Sequence, residues 1–117
     1  MSTLTVTNIQ ATGETASRAV SGVAAAWAFF DGTSTPSLDG SFNTTSLTDQ
    51  GTGLFLLTWT SAMSDANYSS SGAGRSILLT GSAGVQTTST VRVASINDAG
   101  ASVDDTNNSV STHGGLA

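Results

Sequence analysis

Along much of this chain, apolar and polar residues alternate with a period of two, the spacing of a strand whose faces meet different surroundings. Leu4, Val6 and Ile9 stand among Thr3, Thr5 and Thr7 and predict a short N-terminal strand. Between Gly13 and Gly22 the pattern weakens. Glu14 and Arg18 fall at i,i+4 there, compatible with one or two helical turns or with a plain connection. Alternation resumes over Ala24–Phe30, with Ala25, Trp27 and Phe29 on one face and Ala24, Ala26, Ala28 and Phe30 on the other. An alanine-rich helix competes with this assignment, but the aromatic load and the Asp31-Gly32 turn favour a strand.

Further strands are expected at Ser37–Asn43, with Pro36 at its entry, and near Ser46–Thr48. The densest turn signal follows at Asp49-Gln50-Gly51-Thr52-Gly53. It leads into Leu54–Thr60, which places Leu54, Leu56, Thr58 and Thr60 on one face and Phe55, Leu57 and Trp59 on the other. Two largely apolar faces need two coverings, one from the domain core and one from a second layer or a neighbouring subunit. Tyr68–Ser71, Ser76–Thr80, Ser89–Ile96 and Ser109–His113 complete the series, separated by glycine-marked turns and an Asp98–Asn108 loop. Short strands about ten residues apart predict an all-β fold, an antiparallel β-sandwich in one domain over 22–117, preceded by an arm over 1–21.

Composition narrows the setting. Of the 117 residues 38% are hydrophobic and only 9% charged, and about a third are Ser or Thr. That excludes a disordered chain, which lacks the apolar content to form a core. The net charge is −5 and the only fixed cations are Arg18, Arg75 and Arg92, with no lysine. No clustered cations are available to displace counterions, which argues against nucleic acid as a partner. Cysteine is absent, which removes disulfides and thiolate metal sites. No run approaches the roughly 20 apolar residues of a membrane span. The segment Met1-Ser2-Thr3-Leu4 has no signal-peptide character, so synthesis in a cytoplasm is expected, with release by lysis.

Candidate chemistry is sparse. His113 is the only histidine and has no cysteine or second histidine to share a metal. Asp104-Asp105 with Asn107 and Asn108 could offer oxygens to calcium, but Val110 stands where an EF-hand turn glycine belongs, and a polar loop is preferred. Adjacent carboxylates on a strand point to opposite faces, which disfavours a glycosidase pair. No nucleophile elbow, phosphate loop or dinucleotide glycine pattern occurs. No catalytic residue, metal or cofactor is therefore expected. Trp27, Phe29, Phe55, Leu57 and Trp59 are expected in the core or in a subunit interface. Tyr68, beside a turn and before Ser69-Ser70-Ser71, is expected to be the aromatic least committed to the core, available for outward contact. Arg92 is expected to point away from Val91 and Val93.

An ordered set of landmarks runs through the chain: Ala26-Trp27, Phe29, Asp31-Gly32-Thr33, Ser41-Phe42-Asn43, Ser46-Leu47-Thr48-Asp49, Gly51-Thr52-Gly53, then Met63 and Asp65-Ala66-Asn67-Tyr68. Over Gly22–Tyr68, and more weakly over Val91–Ile96 and Ser109–Ala117, it resembles a β domain of bacteriophage tail-fibre proteins, notably those of marine phages. The resemblance implies a homotrimer on the outside of a virion, and it carries over no catalytic residue. Fibre proteins usually set such a domain behind a long shaft, whereas about twenty residues precede it in this sequence. Attachment to another virion protein, of tail or capsid, is then expected through Leu4, Val6 and Ile9, whose strand could add to a partner's sheet edge.

These observations lead to a non-enzymatic virion structural protein, a short fibre or spike of tail or head with receptor binding as its task. Outward loops at Ser69–Gly74 and Gly81–Thr88 would meet a host-surface glycan. Capsid decoration is the alternative, and a carbohydrate-binding module the third reading.

Overall fold

Every strand pairing among the described residues is antiparallel, and no helix occurs among them. The computed structural model describes residues 2–10, 12–13, 18–19, 23–80 and 86–117. Among the described residues ten strands are present: β1 (Asn8–Ile9), β2 (Arg18–Ala19), β3 (Ala24–Asp31), β4 (Ser37–Phe42), β5 (Thr44–Gly51), β6 (Leu54–Trp59), β7 (Ser69–Ala73), β8 (Ile77–Thr80), β9 (Thr90–Ile96) and β10 (Asn108–His113). One four-stranded sheet has the order β4-β3-β10-β7 and the other β5-β6-β9-β8. They pack into the expected all-β sandwich. The short β1–β2 ladder forms a sheet of its own, and residues 2–10 are exposed throughout.

Alternation decides what enters the core. On β6, Phe55, Leu57 and Trp59 are buried, while Leu54, Leu56 and Thr58 are half-buried on the outside. On β9, Val91 and Val93 point inward, and Phe55 and Leu57 lie directly opposite them. The facing sheet contributes Ala26, Ala28 and Phe30 from β3 and Val110 from β10, all within the same cluster. Phe30 and Phe55 meet edge to face across the two layers, with centroids 5.3 Å apart. Small alanines on one sheet against large rings on the other fill the layer.

The chain changes sheets at Asn43, between β4 and β5. Its φ of 55° lies in the left-handed region, which asparagine tolerates better than most residues. Its side chain donates to Ala25 O (3.2 Å) and Ser61 O (3.1 Å) and accepts from Ser61 N (2.7 Å). One residue thereby ties β3, the corner and the segment after β6. Gly53 closes the β5–β6 hairpin at φ 68°, and a Cβ there would stand 2.6 Å from Ser95 O. No other residue fits both constraints.

Two local expectations change. Arg18 belongs to β2, not to a helical turn, and its partner in that expectation, Glu14, lies outside the described residues. Ser69–Gly74 is mainly strand β7, paired along β10, so it is no free outward loop. Of the Gly81–Thr88 loop, residues 81–85 lie outside the described residues.

Candidate functional site: an aromatic sheet face

The outer face of the β4-β3-β10-β7 sheet is built by register. Phe42, Trp27, Ser111 and Ser71 form one row across the four strands; Gly40, Phe29, Ser109 and Ala73 form the next. Residues opposite each other in a ladder share a face, so three aromatic rings emerge together. Trp27 is 44% exposed, Phe29 37% and Phe42 53%. The Trp27 ring reaches over Gly40, where a Cβ would sit 3.4 Å from it. A groove of about 430 Å³ runs beside Trp27 and Phe29, with Ser71, Ala73, Ser109 and Ser111 along it.

Neither row contains a charged side chain. The serines bond largely within the sheet: Ser109 Oγ donates to Ala73 O (3.2 Å), and the hydroxyls of Ser71 and Ser111 lie 3.5 Å apart. His113 is exposed at the end of β10, opposite Ser69. The other sheet's outer face differs. There Leu56 lies between Thr48 and Arg92, and Arg92 Nε donates to Gln50 Oε1 at 2.8 Å. Arg92 points away from the buried Val91 and Val93, as the alternation requires.

The five residues expected in the core or in a subunit interface divide between the two sides of their sheets. Phe55, Leu57 and Trp59 are core, whereas Trp27 and Phe29 lie on the exposed face. Phe42, on that same face, is not among the expected site residues. Strict period two would put Phe42 on the inward side with Leu38. The β3–β4 register shifts between Phe29 and Phe30, leaving Asp39 as an extra residue, so Leu38 packs against the core while Phe42 turns out.

Tyr68 corrects the expectation of an outward contact. It is 7% exposed, and its hydroxyl is shared between Thr87 O (2.7 Å) and Thr90 O (2.8 Å) as acceptors. Trp59 Nε1 donates back to the same oxygen at 3.4 Å, and the two rings meet edge to face. An aromatic body with one polar tip can be buried when the tip finds partners, and this one does. Burial pushes the Tyr68 phenol above its ordinary range, with the Trp59 indole N–H opposing.

The acidic loop is used structurally. Asp104 Oδ1 accepts from Gly53 N at 2.7 Å, fixing the β5–β6 turn. Asp105 accepts from the Ser76 hydroxyl, and its carbonyl oxygen takes Gly32 N (2.9 Å) and Asn108 Nδ2 (2.6 Å). The two carboxylates thus serve different elements. Among the described residues no three of His, Cys, Asp and Glu gather in a way that could hold a metal ion. At the surface, Asp31 accepts from Thr33 Oγ1 (2.5 Å) and Thr33 N (2.8 Å), and these bonds hold its carboxyl below the usual range.

Leu4, Val6 and Ile9 are all exposed, at 83%, 42% and 39%. No helix among the described residues is long and apolar enough to cross a membrane. Fold and face together define a class: an antiparallel β-sandwich presenting aromatic rings on two uncharged rows of one sheet face. Comparison with protein-family models, with curated proteins and with solved structures returns no match.

Proposed function

We propose that this chain is a non-enzymatic structural protein of a phage particle's exterior, a short fibre or spike of the tail or head that assembles with copies of itself. The observation that carries the assembly step is the cluster of Phe42, Trp27 and Phe29, exposed together on two adjacent rows without a charged side chain. Eight acidic residues against three arginines make copies of this chain repel one another. Contact is least unfavourable where no carboxylate is brought in, and the two central rows satisfy that. The phage setting rests on the ordered landmarks from Ala26-Trp27 to Tyr68. A homotrimer is the expected stoichiometry, with another virion protein as the further partner.

Sedimentation equilibrium of the purified chain tests the assembly step: mass should rise with concentration toward a trimer, and Trp27→Ser should lower it. A monomer at every concentration up to about 100 μM would sink the proposal. Copy number per particle separates the two virion roles. A few copies fit a fibre or spike; a number comparable with the capsid protein fits decoration, which would stabilise the head through buried area.

The groove beside Trp27 and Phe29 favours a second reading, a carbohydrate-binding module that stacks a neutral glycan on exposed rings. Saturable glycan binding lost in Trp27→Ala would support it. With Tyr68 buried, Trp27 is the residue to change.

A further inference from the structure

At the end of the sandwich where β3 begins, a second apolar surface lies open. Val23, Phe42 and Leu116 surround a recess of about 270 Å³ floored by Ala24, Ala25 and Gly115. Each of the three walls is about half exposed, at 46%, 53% and 47%. The recess is held in shape by the chain behind it. Ser64 N donates to Gly115 O (2.8 Å), Ala117 N donates to Ala62 O (3.0 Å), and Leu116 bridges to the buried Met63. Its size falls just below that of ordinary small-molecule sites, about 300–1,000 Å³. An aliphatic side chain suits it better than a free ligand.

The same chain carries a matching surface. In an extended segment Leu4 and Val6 share one face, about 7 Å apart, and Ile9 falls on the other. Residues 2–10 contain no charged side chain, and neither does the recess. In the single chain the two surfaces stay apart, with Leu4 at 83% exposure and all three walls open. Phe42 belongs both to the recess and to the aromatic sheet face, so the two surfaces are continuous.

From this reciprocity we infer that the N-terminal segment of one copy seats Leu4 and Val6 in the Val23/Phe42/Leu116 recess of a neighbouring copy. The inference rests on the self-assembly proposed above and names how copies are clasped. A carboxylate-rich chain meets itself here through two neutral apolar surfaces, and each copy gives one and receives one. Such a head-to-tail exchange closes into a ring when the rotation permits, as a trimer would require.

The experiment uses charge complementation in the full chain. Leu4→Asp and Leu116→Arg should each weaken assembly by tenfold or more, read by sedimentation equilibrium. Mixed in equal amounts they should regain mass above either protein alone, short of the wild type, because a ring of three keeps one mismatched contact. The acidic segment of the Leu4→Asp protein then meets the basic recess of the Leu116→Arg protein, and the unaltered segment of the second meets the unaltered recess of the first. Val23→Arg serves as a second recess variant if Leu116→Arg fails to fold, judged by far-ultraviolet circular dichroism. A mixture that remains as dispersed as its two components overturns the inference, and points to a segment that folds onto its own chain. So does a Leu4→Asp protein that assembles like the wild type. If that protein assembles while Trp27→Ser disperses, the clasp is wrong and the sheet-face proposal stands. If the wild type never assembles, both fall.

Discussion

Strands β3 and β6 look alike as sequences, yet they bury opposite contents. AAAWAFFD turns Ala26 and Ala28 inward with Phe30 and leaves Trp27 and Phe29 outside. LFLLTW turns Phe55, Leu57 and Trp59 inward and leaves leucines half-covered. The difference is set by volume across the layer. Once β6 has filled the space between the sheets with rings, the strand opposite can offer little more than alanine. Trp27 and Phe29 of β3 are left at the surface, where with Phe42 they occupy two contiguous rows that carry no charged side chain.

The largest test of this asymmetry is truncation. Phe55→Ala and Trp59→Ala should each lower unfolding free energy by about 3–5 kcal/mol in urea titrations. Trp27→Ala, measured at a concentration low enough to keep the chain monomeric, should cost less than about 1 kcal/mol. Equal costs for the two tryptophans would mean that β3 is not an exposed face at all.

The reverse substitution probes the alanine side. Ala28 is 1% exposed in a filled layer, so Ala28→Leu should destabilise by about 1–3 kcal/mol through overpacking. Phe29→Leu, one position along on the outer face, should leave stability nearly unchanged. Chemical denaturation of the pair checks both in one series. If Ala28→Leu is neutral, the layer holds spare volume and the volume argument fails.

Much of the fold is legible because alternation and glycine turns are local. Strands at Ala24–Phe30, Leu54–Thr60 and Ser89–Ile96 follow from period two, helped at Ala24–Phe30 by the aromatic load and the Asp31-Gly32 turn, and the Gly51-Thr52-Gly53 turn follows from its residues. Which face of β3 turns inward is not legible. Both faces are apolar, and the choice is made by β6, which is distant in sequence. Tyr68 escapes a sequence reading for a related reason. Its neighbours Asn67 and Ser69 suggest a surface, but its hydroxyl is satisfied by the carbonyls of Thr87 and Thr90, which no short window includes. Asn43 reads in sequence as an ordinary polar residue. Its role as the sheet-crossing corner depends on contacts to Ala25 and Ser61, again remote along the chain. The candidate face is legible residue by residue at Trp27 and Phe29. Its third ring, Phe42, needs the register, because the irregularity at Asp39 reverses the face that alternation assigns it.

Tyr68 supplies a smaller test on the β6 side of the comparison. Tyr68→Phe removes the donor shared by two carbonyls and should cost about 0.5–1.5 kcal/mol. The pH dependence has a definite sign. With the folded phenol raised above its ordinary value of 10.0, the unfolded chain ionises first. The stability linked to this group is therefore complete below pH about 10 and is lost as pH rises through the folded value. Tyr68 is the only tyrosine, so the absorbance of its phenolate follows it alone. Ionisation should be delayed beyond that of a free tyrosine, and Tyr68→Phe should flatten the alkaline decline in stability. Titration at or below the ordinary value in the folded chain would place the hydroxyl in water.

The smallest effect on the single chain is the one that matters most for the exposed face. Trp27→Ser leaves the core intact, so at high dilution its melting temperature should match the wild type, a difference within about 0.5 kcal/mol. Concentration should separate them. A chain that assembles only when folded gains stability by mass action, so the wild-type melting temperature should climb with protein concentration. Trp27→Ser, lacking the central ring of the two uncharged rows, should show a flatter climb. The comparison needs no knowledge of stoichiometry, because a slope against concentration reports assembly whatever its order. Parallel slopes for the two proteins would mean that copies meet elsewhere. The ring on β3 would then be free for another partner, and glycan binding at the Trp27–Phe29 groove becomes the reading to pursue.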